Sequence, residues 1–391
     1  MGKEDLLMSW RDICPMDEKV KFIALTKSGN FSITELCEKF GISRKTGYKW
    51  INRYDVDGPS GLNERTRARI TQENRTPEEI QAAVVSLKEA RSLWGPKKIK
   101  AYLERENPEI VWPAASTIGD ILKQHFLVGK RKIRRCVPPY TQPFADCNAP
   151  NDVWSADFKG QFRLGNTKYC YPLTITDNYS RYILACDGYL NPTLENVKKS
   201  FEKVFIEYGV PNAIKTDNGT PFASTGVGGL SQLSMWWIKL GIYPERIDAG
   251  HPEQNGRHER MHKTLKAHTA LPAEQTLSLQ NEVFEDFIRD FNYERPHEAI
   301  NNKVPAKLYK PSLREYPTAI PKMMYEEQYT VRKVRSNGEI RWKGSLIYVS
   351  EMLYKESVGL IEVADGIWEV IFGCLRLGVI DETKGKVKRH R

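Results

Sequence analysis

Hydrophobic and polar positions follow a helical spacing over the first third of the chain. Apolar residues recur at this spacing between residues 17 and 27, which predicts an amphipathic helix. Ser32 and Ser43 stand where N-caps would open two further helices, and Gly41 would end the first of these. Helix, glycine turn and helix in this order predict a helix-turn-helix unit.

A second group of three helices follows the same plan. Thr76 is predicted to cap a helix that runs to about Arg91, with Pro77 at its first position. The stretches 95–106 and 113–125 carry the next two helical patterns. This order predicts a second helix-turn-helix unit.

Basic residues give both units candidate DNA contacts. In the first unit they lie on the last predicted helix and in the second on the middle one, and they are Arg44, Lys45, Lys49, Arg53, Lys97 and Lys98. A basic helix in such a unit is suited to the major groove of DNA. The alternative interpretation is a solvated basic helix in an ordinary helical bundle.

The pattern changes near Val153. Three β-rich stretches, VWSADFKGQF, YCYPLTITDN and RYILACDGYL, precede an amphipathic helix that ends at Gly209. The strand NAIKTDNG, the apolar helix LSQLSMWWIKLG and the brief strand IYPERID come next. Three adjacent strands followed by alternating helices and strands predict a mixed sheet flanked by helices, in the order of an RNase H-like α/β fold.

Two aspartates occupy matching places in this predicted sheet. Asp157 lies on the first strand and Asp217 ends the fourth, and these two strands are neighbours in an RNase H-like sheet. A pair of hard carboxylate ligands suits Mg²⁺ or Mn²⁺ and not zinc. A third carboxylate on a following helix would complete a site for two ions about 4 Å apart.

Composition then narrows the partners and the compartment. The formal net charge of +10 favours a polyanionic partner. The seven cysteines are scattered without a C-x-x-C pair, which argues against a disulfide framework or a zinc knuckle and for a reducing cytoplasm. The N-terminus lacks a signal-peptide pattern, and no apolar run is long enough to span a membrane.

A basic run separates the second helical unit from the predicted sheet. Its charged residues are Lys130, Arg131, Lys132, Arg134 and Arg135. Between a DNA-binding unit and another basic domain, such a run is suited to following the phosphate backbone of DNA.

Four motifs occur in order along the second half of the chain: VWSADFKG, IKTDNGTPF, HPEQNGRHERMHKTLK and FNYERPHEAINNKVPAKLY. They resemble the motifs of the integrase-core superfamily, and the chain resembles its bacterial insertion-sequence transposases, which carry helix-turn-helix units ahead of the core. The resemblance implies a catalytic, metal-binding triad that includes Asp157 and Asp217. It also implies a small SH3-like β-barrel after the core, double-stranded DNA as the partner, and an assembly of at least two copies.

The third member of the triad could be either of two glutamates. Glu253 stands after 35 intervening residues from Asp217, the separation common in the family. Motif alignment selects Glu259 instead, at the start of a helix that follows a Pro-x-x-x-Gly loop. Lys263 and Lys266 would then share one helical face with Glu259 and contact the DNA backbone. The alignment is the preferred assignment.

The same stretch contains a literal H-E-x-x-H, the pattern of zinc proteases. That interpretation is disfavoured, because it leaves Asp157 and Asp217 without a role and lacks a third zinc ligand. His258 and His262 are expected to contact DNA or solvent. We therefore expect two Mg²⁺ or Mn²⁺ ions and no zinc.

The sequence therefore predicts a multidomain transposase. Its expected parts are helix-turn-helix domains at 1–60 and 74–128, a basic linker at 129–150, an RNase H-like core at 151–312, an all-β SH3-like barrel at 325–381 and a disordered basic tail at 382–391. The enzyme would bind element ends, hydrolyse a phosphodiester at each end, and transfer the freed 3′-hydroxyl into target DNA. The alternative is a sequence-specific DNA-binding regulator with an inactive core.

Overall fold

The structure, a computed structural model, divides into two compact units at residues 1–75 and 76–391. It describes residues 15–64, 76–129, 147–158, 160–217, 219–222, 229–246, 256–382 and 386–389. The predicted basic run at residues 130–135 lies outside this described part of the chain.

The first unit is a bundle of three helices. They are α1 Pro15–Lys27, α2 Ile33–Lys39 and α3 Arg44–Asp57. Ser32 caps α2 through a capping box with Glu35, and the Ser43 side chain accepts from the backbone N–H of Thr46 at the start of α3. Both predicted N-caps are therefore confirmed. The helices enclose a small core that includes Phe22 and Trp50.

Three more helices open the second unit. They are α4 Glu78–Ala90, α5 Pro96–Glu106 and α6 Ala115–Gln124. The predicted cap at Thr76 is wrong by one residue, because Pro77 has an extended ψ of 146° and itself occupies the N-cap of α4. Trp94, Ile99 and Ile118 are fully buried where the three helices meet.

A mixed sheet forms the centre of the second unit. Its strands are β1 Val153–Phe158, β2 Phe162–Arg163, β3 Tyr169–Asp177, β4 Ile183–Tyr189, β5 Ala213–Thr216 and β6 Tyr243–Arg246. Strand β4 pairs with β3 and β3 with β1 in antiparallel fashion, whereas β1 pairs with β5 and β5 with β6 in parallel. This is the strand arrangement that the sequence order predicted.

Helices cover both faces of this sheet. They are α7 Leu194–Tyr208, α8 Gln232–Lys239, α9 Gly256–Thr269 and α10 Leu277–Arg289. One core joins Trp154 and Ala156 of β1 to α7 and α8, and a second joins Ile183 of β4 to α9 and α10. Since side chains alternate along a strand, Asp157 points away from the first core and toward the face that α9 covers.

The last part of the chain is an antiparallel β-domain. Its strands are β7 Thr330–Lys333, β8 Glu339–Trp342, β9 Ser345–Tyr348, β10 Ser357–Ala364, β11 Ile367–Phe372, β12 Leu375–Asp381 and β13 Lys386–Arg389. Five of them form one sheet in the order β13-β12-β11-β10-β7, and β8 pairs with β9 in a separate hairpin. Their apolar side chains share one core, which also takes in Ile238 of α8.

One detail of this domain differs from expectation. The tail, expected to be disordered, contributes β13, which pairs with β12 from Asp381 opposite Lys386 to Gly378 opposite Arg389. The open backbone edge of β12 supplies the hydrogen-bond partners that the basic tail sequence does not reveal.

In the described part of the chain, no helix combines the length and the apolar character that crossing a bilayer requires.

Helix α7 offers a direct test of the sheet-covering core. Phe205 is fully buried, whereas its neighbour Ile206 is 73% exposed. We expect Phe205→Ala to lower the free energy of unfolding by about 3–5 kcal/mol, since it removes a buried aromatic ring and leaves a cavity. Ile206→Ala should change it by less than about 0.5 kcal/mol. Urea denaturation of both variants measures the difference, and similar values for the two would contradict this packing.

Candidate active site

The parallel pairing of β1 with β5 brings the two predicted aspartates to one edge of the sheet. Ser155 lies opposite Lys215 in this pairing, and Asp157 and Asp217 each follow two residues later. Asp217 comes directly after β5, and its Oδ1 accepts a hydrogen bond of 3.1 Å from the backbone N–H of Gly219. The Asp157 side chain is 18% exposed, so solvent and ligands can reach it.

Helix α9 presents two different faces beside these aspartates. Its buried face consists of His258, Met261, His262, Leu265 and Thr269. Its exposed face carries the predicted functional residues Glu259, Lys263 and Lys266. The spacing of four and then three residues keeps the carboxylate and both ammonium groups on one side of the helix.

The structure places Glu259 at the first turn of α9, where the positive end of the helix dipole favours a carboxylate. Its side chain is exposed there. Glu253, the competing candidate, lies outside the described residues. Among the described side chains, one group of three offers donor atoms that all lie within 4.8 Å of one another, and it consists of Asp157, His258 and His262.

The two histidines are not where the sequence suggested. They were expected to contact DNA or solvent, but His258 is 3% and His262 5% exposed. Both face Thr174 on β3, whose Oγ1 lies 2.7 Å from the Nε2 of each ring. His258 Nδ1 also lies 3.2 Å from the hydroxyl of Thr176. Burial lowers the pKa of His258 to about 3, so this imidazole is neutral at physiological pH.

The sequence did not single out Thr174, because its strand has the pattern of an ordinary apolar strand. The register places it directly opposite Asp157, so both side chains emerge on the same face of the sheet. The burial of His258 and His262 had a faint signal, since both lie on the helical stripe that continues through Leu265. An i, i+4, i+7 stripe beside a charged stripe marks the inward face of a helix.

Basic residues at the end of α4 and on α5 face the segment 290–298 of the same unit. Three ion pairs reach the segment 290–298, namely Arg91 with Asp290 at 2.6 Å, Arg105 with Glu294 at 2.8 Å, and Lys97 with Glu298. Burial, together with the nearby positive charge of Arg295, lowers the pKa of Lys98 to about 8. Of the two residues predicted to contact DNA, Lys97 is thus paired with Glu298 at the surface and Lys98 is half-buried.

The predicted basic residues of α3 are arranged differently. Arg44, Lys45 and Lys49 are exposed, and Arg53 is half-buried. The Lys49 ammonium lies 4.7 Å and the Arg53 guanidinium 5.1 Å from the ring centroid of Trp50. Trp50 therefore steadies two of the four cations while they remain near the surface.

The motif FNYERPH, residues 291–297, packs in the core next to the unit formed by α4, α5 and α6. Arg295 is 7% exposed, and the backbone N–H of His297 donates to the carbonyl of Lys303 at 3.1 Å. The His297 ring lies 4.4 Å from the ring of Phe291. Burial, reinforced by the charges of Lys98 and Arg295, lowers the pKa of His297 to about 3. This arrangement gives both motif residues a place in the packing of the core.

Family models match along most of the chain. A helix-turn-helix domain matches residues 18–69, a homeodomain-like domain 46–122, two integrase core domain models 148–252 and 240–305, and the C-terminal domain of the IS481 family transposases 329–388. Their order along the chain is the order of the domains described above.

Individual relatives agree with these matches. An uncharacterized protein of insertion element IS407 from Burkholderia multivorans is 26% identical over 295 residues, which is 73% of this chain and 92% of that protein. One from insertion element IS476 of Xanthomonas euvesicatoria is 24% identical over 58% of this chain and 64% of that protein. The HTLV-2 integrase catalytic core domain, solved in complex with magnesium, is 16% identical over 41% of this chain and 98% of that chain, with a TM-score of 0.33.

His297 predicts how acid affects the core. Its pKa is about 3 when folded and about 6.5 when unfolded. Above about pH 6.5, His297 is neutral in both the folded and the unfolded chain. Below this pH the unfolded chain binds a proton at His297 that the folded chain does not bind, so the free energy of unfolding falls as the pH falls. His297 should contribute up to about 1.4 kcal/mol per pH unit to the slope of the free energy of unfolding against pH.

Urea denaturation between about pH 7.5 and about pH 5 measures this slope. His297→Gln should flatten it, whereas His125→Gln, at an exposed position on the end of α6, should leave it unchanged. An equal slope in wild type and His297→Gln would show that His297 takes up its proton in the folded protein.

Proposed function

We propose that this chain is a metal-dependent DNA transposase, since its matches are integrase core domains, the C-terminal domain of IS481 family transposases and insertion-element proteins. It binds the ends of its element, hydrolyses a phosphodiester at each end, and joins the freed 3′-hydroxyl to target DNA. The observation that carries this proposal is the parallel pairing of β1 with β5, which places Asp157 on β1 and Asp217 directly after β5. Helix α9, which bears Glu259, packs beside Asp157.

In this proposal Asp157, Asp217 and Glu259 are the catalytic residues and hold two Mg²⁺ or Mn²⁺ ions. The chemistry of the donor set supports this proposal, because carboxylate oxygens are the ligands that such ions prefer. The backbone pairing of β1 with β5 brings Asp157 and Asp217 to one edge of the sheet. When bound, the metal supplies an activated water or hydroxyl nucleophile and stabilises the leaving oxygen. Lys263 and Lys266, exposed on the face that carries Glu259, hold the DNA backbone beside the carboxylates.

The protein's own share of the reaction is positioning. The attacking groups are water and then the DNA 3′-hydroxyl, so no side chain has to form a covalent bond with the substrate. Asp157 is fixed by its strand and Glu259 by the first turn of α9. Both carboxylates therefore rest on rigid elements, which the alignment of a nucleophile with a phosphodiester requires.

The surrounding domains supply DNA contacts in this proposal. The helical domain at 1–60 reads element ends with the exposed cations of α3, the unit at 74–128 extends the contact, and the linker at 129–150 follows the backbone. The β-domain at 325–381 closes as an SH3-like barrel, and its basic residues include Lys333, Arg335, Arg341 and Lys343. At least two copies act together, since two element ends must meet.

The reaction takes place in the bacterial cytoplasm in this proposal. Four described cysteines are free thiols, as a reducing compartment requires, and they are Cys37, Cys170, Cys186 and Cys374.

One observation favours a second candidate function. Glu259 is exposed, and the side chains grouped with Asp157 are two histidines. A protein whose carboxylates never assemble around metal would be a DNA-binding regulator with an inactive core. The two candidates separate in a cleavage assay on DNA that contains an element end, because a regulator binds that DNA and leaves it intact.

We expect Glu259→Gln, Asp157→Asn and Asp217→Asn each to reduce strand cleavage and strand transfer by orders of magnitude. Each change keeps the shape of the side chain but removes a charge that offsets the ions. Binding to element ends should survive, as gel-shift titration of the same DNA would measure. Glu253→Gln serves as the matched control and should cost little. An active Glu259→Gln beside an inactive Glu253→Gln would overturn this assignment.

The linker gives a prediction about affinity. Replacing Lys130, Arg131, Lys132, Arg134 and Arg135 with Gln should flatten the dependence of log affinity on log salt concentration. Each lost phosphate contact reduces the slope by about 0.9, because fewer counterions are released from the DNA. Changing Lys198 and Lys199, which pair with Glu202 and Glu195 on α7, controls for charge alone. An unchanged slope in the linker variant would show that the five basic residues of the linker make no contacts with DNA phosphates.

A further inference from the structure

His262 lies closer to the proposed metal site than its place on a buried helix face would suggest. It follows Glu259 by three residues on α9 and is 5% exposed. Its Nδ1 lies 3.9 Å from Oδ2 of Asp157, the carboxylate that emerges from β1. The chemistry of this pair depends on which ring nitrogen carries the proton.

The hydroxyl of Thr174 limits the proton positions. Its Oγ1 lies 3.2 Å from the backbone carbonyl of Asp157, which can only accept a hydrogen bond. The hydroxyl has one proton and lies 2.7 Å from Nε2 of both His258 and His262, so at least one of the two rings donates to it through Nε2–H. In the tautomer in which His262 is a donor to Thr174, its Nδ1 carries a lone pair on the side of Asp157.

This arrangement is that of a metal-binding histidine. Such a ring usually donates its second N–H to an oxygen of the protein, which fixes the tautomer and the orientation of the ring. Thr174 provides that oxygen here. A nitrogen and an oxygen bound to one ion at about 2.1 Å each can lie up to about 4.2 Å apart, and the observed 3.9 Å is within this limit.

We propose that Nδ1 of His262 is a further ligand of the divalent ion held by Asp157, and that this nitrogen makes the site prefer Mn²⁺ to Mg²⁺. The inference rests on the proposed function, since it places an ion on Asp157. Mg²⁺ takes oxygen ligands and demands near-ideal geometry, whereas first-row transition ions accept imidazole. His258 holds Thr174 in place from the other side and acts as a positioning residue.

Electron spin echo spectroscopy of the full chain loaded with Mn²⁺ tests the nitrogen directly. Wild type should show ¹⁴N modulation of the Mn²⁺ signal, and ¹⁵N-labelled histidine should replace it with the ¹⁵N pattern. His262→Asn should lose this coupling and bind Mn²⁺ about tenfold more weakly. Its preference for Mn²⁺ over Mg²⁺ in cleavage should fall by a similar factor.

His268→Asn is the matched control. His268 lies on the same helix nine residues after Glu259, is exposed, and contacts Phe287. It should keep the coupling, the affinity and the ion preference of wild type. Wild type bound to Mn²⁺ without histidine coupling would overturn the inference, and so would coupling that persists in His262→Asn. The wild-type measurement needs no variant to fold, so misfolding of His262→Asn does not remove the test.

The outcomes also separate this inference from the proposed function. If Asp157→Asn abolishes Mn²⁺ binding and cleavage but wild type shows no nitrogen coupling, the transposase assignment stands and the His262 ligand is wrong. If the coupling depends on His262 and Asp157, but Asp157→Asn and Asp217→Asn still cleave element ends, the metal site stands and the catalytic proposal is wrong.

Discussion

The parallel pairing of β1 with β5 is the constraint on which the rest of the site depends. Neighbouring parallel strands end at the same edge of a sheet, so residues far apart in sequence are brought side by side at that edge. Here the register aligns Ser155 with Lys215 and carries Asp157 and Asp217 to adjacent positions. A shift of one residue would turn one carboxylate into the opposite core. The packing of Trp154 and Ala156 against α7 and α8 opposes that shift.

Helix α9 is held against the sheet by apolar packing and by a buried polar network beside that packing. Met261 and Leu265 anchor the helix in the second core, and His258 and His262 approach β3 beside them. Two buried imidazoles would be costly without partners. The hydroxyls of Thr174 and Thr176 provide those partners, so the network holds α9 at a fixed rotation relative to the sheet. That rotation leaves Glu259, Lys263 and Lys266 on the exposed side.

Charge is used in two ways along the chain. On α3 the cations Arg44, Lys45 and Lys49 remain exposed and available to a polyanion. At the end of α4 and on α5 cations pair with acidic groups of residues 290–298 and link this helical unit to the core. Basic residues are thus left exposed in one unit and paired within the protein in the other. A net charge of +10 does not distinguish these uses.

The sequence by itself determined the elements and their order. Capping residues such as Ser32 and Ser43 act on their own helix, and the alternation of strand and helix around Asp157 and Asp217 implies the sheet, so local chemistry was enough. The tertiary structure decided what depends on contacts between distant segments. Burial of His258 and His262 required Thr174 from another strand, the pairing of Lys97 required Glu298 some two hundred residues later, and β13 required the open edge of β12. Side-chain spacing cannot reveal these outcomes, because each is set by a partner that only the folded chain brings near.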